Sequence, residues 1–421
     1  MNDTRVVITG LGAVTPIGNN AEEFGRSLFE GVSGTGPITH FDCEVRDPRS
    51  NRHQFTTRIA GEVKNFDPHT VTERPERLDR ATHFAFAAVD MALSDAGLTP
   101  QTIVPQRTGV VVGTGMGDMN TIEWGIKQIL KGSTRRIRPT ALPKVLPSSL
   151  PGNVAIRLGS RGITLGVSTA CASSTHAVGE AYWVIRRGDA DVVMAGGAEA
   201  AITPLSLAAF GAMRVLSRNN EEPEKASRPF DARRDGFVMG EGSGLMVVES
   251  LESAQRRGVR IYAEILGYKA TSDAFHATGM RADVSEYIRV MTQAMEMGGV
   301  KAEEIDSVNA HGSSTPMNDA VETRAIKEVF GERAHEIPIN ATKSMTGHLL
   351  SAGAAIEIIA VLLSFERQQV HPTINYEVPD PECDLDYVVD GKRSFPLNTV
   401  LKNSFGMGGH NSALVLRRWE R

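Results

Sequence analysis

A chain of 421 residues with 41% hydrophobic residues, 23% charged residues and 41 glycines is too long for one small core and too apolar for disorder; it reads as a soluble α/β enzyme of two domains or one duplicated unit. A formal net charge of −5 argues against a nucleic-acid binder, which presents a basic face. The three cysteines, Cys43, Cys171 and Cys383, are too few and too scattered for a disulfide framework or a cysteine-rich zinc site, and the chain shows no secretory start and no apolar run of membrane-spanning length, so a reducing cytoplasm is expected.

The first expected element is a strand, RVVITG (5–10). The longer stretch VVITGLGAVTPIG resembles a dinucleotide-binding turn, but Thr15 stands where the third small residue should be and no acid follows to hold a ribose, so a tight strand-to-helix turn is the better reading. RATHFAFAAVDMALSDAG (80–97) carries apolar residues at helical spacing and ends in glycine, a helix with its stop signal. TGVVVGTG (108–115), ADVVMAGGAE (190–199) and GLMVVES (244–250) are nearly continuous in apolar residues, as strands covered on both faces are.

VSTACASSTHAVGEA (167–181) sets Cys171 between a β-branched run and a helical stretch of small residues. One reading is a small buried hydrophobe; the other is a thiol delivered by a strand to the first turn of a helix, placed to attack a carbonyl. The charged segment at 217–237 reads as a long surface excursion, and the shift in composition at 249–260 as a boundary, giving units 1–258 and 259–421. The second unit repeats the scheme: strand 262–270, helix 284–299, strand 305–312 and a closing strand 412–419. Such alternation predicts α/β layers.

Two later stretches hold histidines among small residues: NAHGSSTPMND (309–319) with His311, and NATKSMTGHLLSAGAAIE (340–357) with Lys343, His348 and Glu357. Singly each histidine reads as a structural residue, as His276 and His335 do. Together with a thiol and an ammonium they point to chemistry. Zinc is disfavoured because no pair has short ligand spacing.

These motifs, in this order, resemble the β-ketoacyl-acyl-carrier-protein synthases with Cys–His–His sites, synthase II above all, over essentially the whole chain. The resemblance rests on TACASS around Cys171, AHGSSTPMND around His311, TKSMTGHLLSAGA around Lys343 and His348, and NSFGMGGHN (403–411), with GGAEA (196–200), RPFDARRDGFVMGEG (228–242) and TSDAFH (271–276) in support. It implies an α/β, thiolase-like, five-layered αβαβα fold of two duplicated halves. It also implies a homodimer, or a heterodimer with a ketosynthase-like subunit.

The activity implied is decarboxylative Claisen condensation, extending an acyl chain by two carbons in fatty-acid or polyketide synthesis, with no cofactor beyond the phosphopantetheine arm of the partner acyl carrier protein. Cys171 is expected to carry the acyl group as a thiolate favoured by its helix N-terminus, with the N–H groups of Cys171 and Phe405 as oxyanion hole. His311 and His348 would stabilise the enolate left by carbon dioxide; one of them acting as a general base is the other reading the family allows. Lys343, paired with Glu357, would hold them. Ser313 and Thr315 match pantetheine-binding hydroxyls; Met116, Ala201 and Phe210 match the acyl pocket. Phe405 matches its gate, beside Met407 and Asp273.

Arg74, Arg77, Arg80 and Arg214 are expected to dock the acidic carrier, although Glu73 and Glu76 interleave with them. A non-condensing partner subunit of the chain-length-factor type would lack the thiol, and a thiolase would need a second cysteine where FGMGGHN stands.

Overall fold

The computed structural model describes residues 4–51 and 53–420, and its apolar runs pair into one mixed sheet. The first half of the chain supplies β1 (Val6–Val14), β2 (Thr108–Gly113), β3 (Thr164–Val167), β4 (Val192–Glu199) and β5 (Gly242–Ser250). The second supplies β6 (Ala263–Ser272), β7 (Ser307–Asn309), β8 (Ile339–Asn340), β9 (Thr399–Gly406) and β10 (His410–Arg418). Their order is β8-β7-β9-β10-β6-β1-β5-β4-β2-β3.

The two halves repeat one pattern. β1 and β5 are antiparallel, as are β5 and β4, whereas β4, β2 and β3 run parallel. In the same way β6 pairs antiparallel with β10 and β10 with β9, whereas β9, β7 and β8 run parallel. Three residue pairs between β1 and β6, such as Val6 with Ile265, join the halves.

Helices complete the layers. α1 (Arg80–Asp95) and α2 (Ser149–Leu158) cover the first half-sheet from outside, and α4 (Ser285–Met297) and α5 (Pro316–Phe330) cover the second. α3 (Ser173–Arg186) and α6 (Gly353–Arg367) pack on each other between the two half-sheets. The result is the α/β, five-layered αβαβα arrangement.

Side-chain alternation along a strand sorts residues between layers. Val111 of β2 and Leu414 and Leu416 of β10 join the central cluster around α3 and α6. Their neighbours Val110 and Val112 join the cluster under α1, and Ala413 and Val415 the one under α4. Burial on both faces is why these strands read as unbroken apolar runs.

One expectation shifts here and another fails. The tight turn between the first strand and the helix Ala21–Glu30 lies at Thr15–Gly18, so Gly10 and Gly12 are both inside β1, where a Cβ would lie 2.2 Å from the carbonyl oxygen of Ala92 and 2.0 Å from that of Ala88; the glycines let α1 settle onto the strand. The segment at 217–237 is not a surface excursion throughout. Residues 226–231 are buried, Phe230 stacks on Tyr387 with centroids 3.9 Å apart, and Arg234 pairs with Asp380 at 2.5 Å and Asp319 at 3.7 Å. Mutual pairing is what allows so charged a stretch inside. Among the described residues no helix is long and apolar enough to cross a membrane.

Candidate active site

β3 ends at Val167, and a single tight turn, Ala170–Ala172, leads into α3. Ala170 takes a left-handed φ of 49°, a strained choice for a residue with a Cβ. The hydroxyl of Ser173 braces the turn, accepting from the Thr169 N–H (2.8 Å) and donating to the Ala170 carbonyl (2.6 Å). Cys171 therefore sits, half-buried, on the wall of a cavity of about 310 Å³ that also meets His311, His348, Ser313, Thr315 and Met407.

The helix N-terminus does not by itself yield a thiolate. Burial pushes the Cys171 thiol up, opposed by the Lys343 ammonium and by the N–H groups of Met407 and Cys171 itself. Desolvation outweighs these charge and hydrogen-bond effects and favours the thiol over the thiolate. Cys43 and Cys383 are buried elsewhere, and burial pushes Cys383 up to about 12.

The histidines reach the cavity from the other half. The turn after β7 is clamped by Glu322 of α5, whose two oxygens accept from the N–H groups of His311 (2.7 Å) and Gly312 (2.9 Å). His348 is pinned through its backbone to Val238 (2.7 Å) and Gly240 (2.8 Å). Its Nδ1 accepts the Leu350 N–H at 3.1 Å, so in the neutral ring the proton is on Nε2. For His311, the Lys343 ammonium lies 3.5 Å from Nδ1 and donates to the His311 carbonyl at 2.5 Å, which again leaves the proton on Nε2. The two rings stand edge to face with centroids 5.5 Å apart. Burial, then the Lys343 charge, holds both imidazoles well below the usual histidine range. Two neutral N–H donors thus share one cavity with a thiol.

Behind them lies a buried charge cluster. Lys343 pairs with one oxygen of Glu357, and the other oxygen lies 2.7 Å from the ammonium of Lys402. Glu322 and Lys402 were not singled out from the sequence. The available signal for Lys402 is a lysine interrupting the apolar run TVLKNSFG.

Other expected residues divide. Ser313 and Thr315 share a hydrogen bond (2.9 Å) at the cavity. Asp273 accepts from Tyr287 (2.7 Å) and Asn411 (2.6 Å), and its N–H donates to the Gly409 carbonyl (3.0 Å). The expected oxyanion donor Phe405 is corrected: it belongs to β9, paired with Asn411, with its ring on Tyr287 at 4.8 Å, while the N–H beside the sulfur is that of Met407 in the following turn. Met116, Ala201 and Phe210 do not line this cavity. They form an apolar cluster behind Phe237, whose ring meets Phe210 at 5.6 Å and His348 at 5.2 Å. Arg74, Arg77 and Arg214 are exposed, and Arg214 lines the cavity mouth. Arg80 is not free for docking: its guanidinium donates to buried Glu241 at 2.7 and 2.9 Å and lies over the Phe84 ring.

Comparison with known proteins agrees with this geometry. Residues 3–254 match the family description "Beta-ketoacyl synthase, N-terminal domain" and residues 262–377 "Beta-ketoacyl synthase, C-terminal domain". The chain is 44% identical to the 3-oxoacyl-[acyl-carrier-protein] synthase 2 of Synechocystis sp., over 99% of this chain and 98% of that protein. It is 43% identical to the enzyme of the same name from Staphylococcus aureus, over 99% of each. Among solved structures, a type II polyketide ketosynthase in complex with its acyl-carrier protein and bound to the hexaketide (AntDE:AntF) superposes with a TM-score of 0.91 and 37% identity, over 100% of both chains.

Proposed function

The chain belongs to the β-ketoacyl synthase family and is a condensing acyltransferase, and from that premise we propose that Cys171, His311 and His348 divide the reaction between them. The Cys171 sulfur attacks the thioester carbonyl of an acyl chain on the carrier's pantetheine arm, and the departing pantetheine thiol takes the proton. The Cys171 and Met407 N–H groups, already beside the sulfur, stabilise the oxyanion. The malonyl thioester then accepts hydrogen bonds on its carbonyl oxygen from His311 Nε2 and His348 Nε2. The carboxylate carbon–carbon bond breaks, carbon dioxide leaves, and the electron pair becomes an enolate. Its carbon attacks the Cys171 thioester, forming the 3-oxoacyl chain and expelling the sulfur as a thiolate, which takes a proton from solvent to restore the thiol. The observation that carries this reading is the pair of neutral imidazoles, each with Nδ1 occupied, on one cavity wall with the thiol.

The pantetheine arm passes Ser313 and Thr315, and the acyl chain runs past Phe237 toward Met116, Ala201 and Phe210, with Phe405, Met407 and Asp273 bordering the entrance. Arg214 at the mouth and exposed Arg74 and Arg77 receive the acidic carrier; Lys144 donates to the Glu76 carbonyl at 2.7 Å, which brings another cation to that turn. The functional dimer is a homodimer. The edge strand β3 is exposed, with Leu165 in it, and Ile129, Leu130, Leu142 and Ile156 are exposed on the helices Met119–Leu130, Ala141–Val145 and α2, which pack one on the next, the last of them onto β3, an arrangement suited to a second copy. Units 1–258 and 259–421 are the duplicated halves, as the matching strand orders support. Incubating the enzyme with acyl- and malonyl-carrier protein tests the reading: 3-oxoacyl product, carbon dioxide release and an acyl mass on the intact chain are expected, and absence of product despite an acylated enzyme rejects it.

A further inference from the structure

β9 places Val400 in the central core layer and Leu401 in the outer one, so by strand alternation Lys402 and Ser404 share the central face. A wholly buried lysine in that layer is costly unless its charge is matched, and Lys402 has 0% exposure. Its ammonium donates to the Asn403 carbonyl and to the Ser404 hydroxyl at 3.2 Å, and forms an ion pair with Glu357 Oε2 at 2.7 Å. The geometry at Glu357 Oε2 is that of an ion pair; this oxygen has no well-angled hydrogen bond among the described residues, so the Lys402 ammonium is what compensates it.

Two further links leave this point. The other oxygen of Glu357 holds Lys343, which reaches the carbonyl and Nδ1 of His311. The Ser404 hydroxyl shares a 2.7 Å hydrogen bond with Thr175 of α3, the helix that follows Cys171. We propose that Lys402 is a positioning residue for the condensation: by occupying one oxygen of Glu357 it fixes the other on Lys343 beneath His311, and its charge behind the two imidazoles keeps them neutral and donating.

The groups that face this cluster are Lys343, His348 and His311, Glu357 on α6, Glu322 on α5, His371 after α6, and Cys171 before α3. Burial pushes the Lys402 ammonium down, opposed first by the Glu357 charge, and pushes the Glu322 carboxyl up; when all four are ionised, the buried set Lys343, Lys402, Glu357 and Glu322 carries two charges of each sign. Lys402 adds to burial and Lys343 in holding both catalytic histidines down. Removing a nearby positive charge raises a histidine pKa, so without Lys402 each imidazole takes up a proton at a higher pH and ceases to act as the neutral donor.

This inference rests on the enolate role proposed above for His311 and His348. The test measures condensation and carbon dioxide release from malonyl-carrier protein against pH, and self-acylation of Cys171 separately, in the full-length enzyme and in Lys402→Met and Lys402→Gln; the glutamine keeps hydrogen-bonding capacity should methionine fail to fold. The expected result is a kcat for condensation lower by about 10- to 100-fold, the scale of a displaced catalytic group, an acid limb moved to higher pH, and self-acylation within about 3-fold of the parent. Ser404→Ala, which cuts the link to α3 without removing charge, should leave the acid limb in place. An unchanged acid limb in Lys402→Gln, or an equal shift in Ser404→Ala, overturns the inference. A parent enzyme that acylates but does not condense overturns the underlying reading instead.

Discussion

The duplication places the same backbone device in both halves. In the first, Ala170 at φ 49° opens a tight turn, Ala170–Ala172, that leads into α3; in the second, Leu350 at φ 49° opens the turn Leu350–Ala352 that leads into α6. Cys171 and Ser351 hold the same place in their turns. Beyond that they differ entirely. Cys171 faces a cavity with two imidazoles, whereas Ser351 is buried and its hydroxyl donates at 2.5 Å to Glu199 at the end of β4. Glu199 also accepts the Gly115 N–H at 2.9 Å. A helix start with a nucleophile-type side chain is thus common to both halves. Only one half is given open space and imidazole N–H donors, and those donors come from the other half.

The comparison can be broken most directly at Cys171. Cys171→Ala should abolish condensation, and peptide mapping of the parent should place the acyl group on Cys171 alone. An adduct on Cys43 or Cys383 would show that the turn facing the cavity is not the chemical one. The next largest effect is expected at the imidazoles: His311→Ala and His348→Ala should each lower carbon dioxide release and condensation by about 100- to 1000-fold, the cost of a lost oxyanion donor. Self-acylation should persist in both, and a double variant that condenses normally would refute the division of labour.

Met116 probes the apolar cluster behind Phe237. Met116→Phe should exclude two or three methylenes of a long chain, each worth roughly 0.8 kcal/mol, so long acyl groups lose about 10- to 50-fold while acetyl transfer holds. A depressed melting temperature with an unchanged chain-length profile would make Met116 ordinary core.

Two smaller tests concern the second turn. Burial raises the Glu199 carboxyl from 4.5 to about 6, against hydrogen bonds from Ser351, Gly115 and Met116. A carboxyl whose folded pKa lies above its unfolded one stabilises the fold only while protonated. Relative stability is therefore lost as pH rises from 4.5 to about 6, by about 2 kcal/mol. Glu199→Gln keeps an acceptor and removes the charge. Its advantage over the parent in denaturant unfolding should grow between pH 4 and pH 7, and an equal difference at both would contradict the buried-acid assignment. Ser351→Cys should cost about 1 kcal/mol for the lost hydrogen bond and remain unacylated under conditions that load Cys171. A second acyl mass would mean that the turn alone suffices.

Much of this was legible in the chain because the signals are local. Apolar runs at 108–115 and 244–250 match β2 and β5, and the helical spacing at 80–97 matches α1. Cys171, His311, Lys343 and His348 announce themselves by chemistry-bearing side chains among small turn residues. The misreadings have a common origin. Gly10 and Gly12 look like a turn until α1 is laid across β1, and Arg80 looks like a docking cation until Glu241, 161 residues away, is found beneath it.

By itself, then, the sequence determined the element types, the alternation that buries strands on both faces, and the set of reactive side chains, since each depends on neighbours within a few positions. Only the tertiary structure decided which of two equivalent turns opens to a cavity, that Met407 rather than Phe405 brings its N–H to the sulfur, and that Lys402 and Glu322 stand behind the histidines. Those outcomes depend on burial and on charges separated by tens to hundreds of residues. The energy of a charge is set by what surrounds it in space.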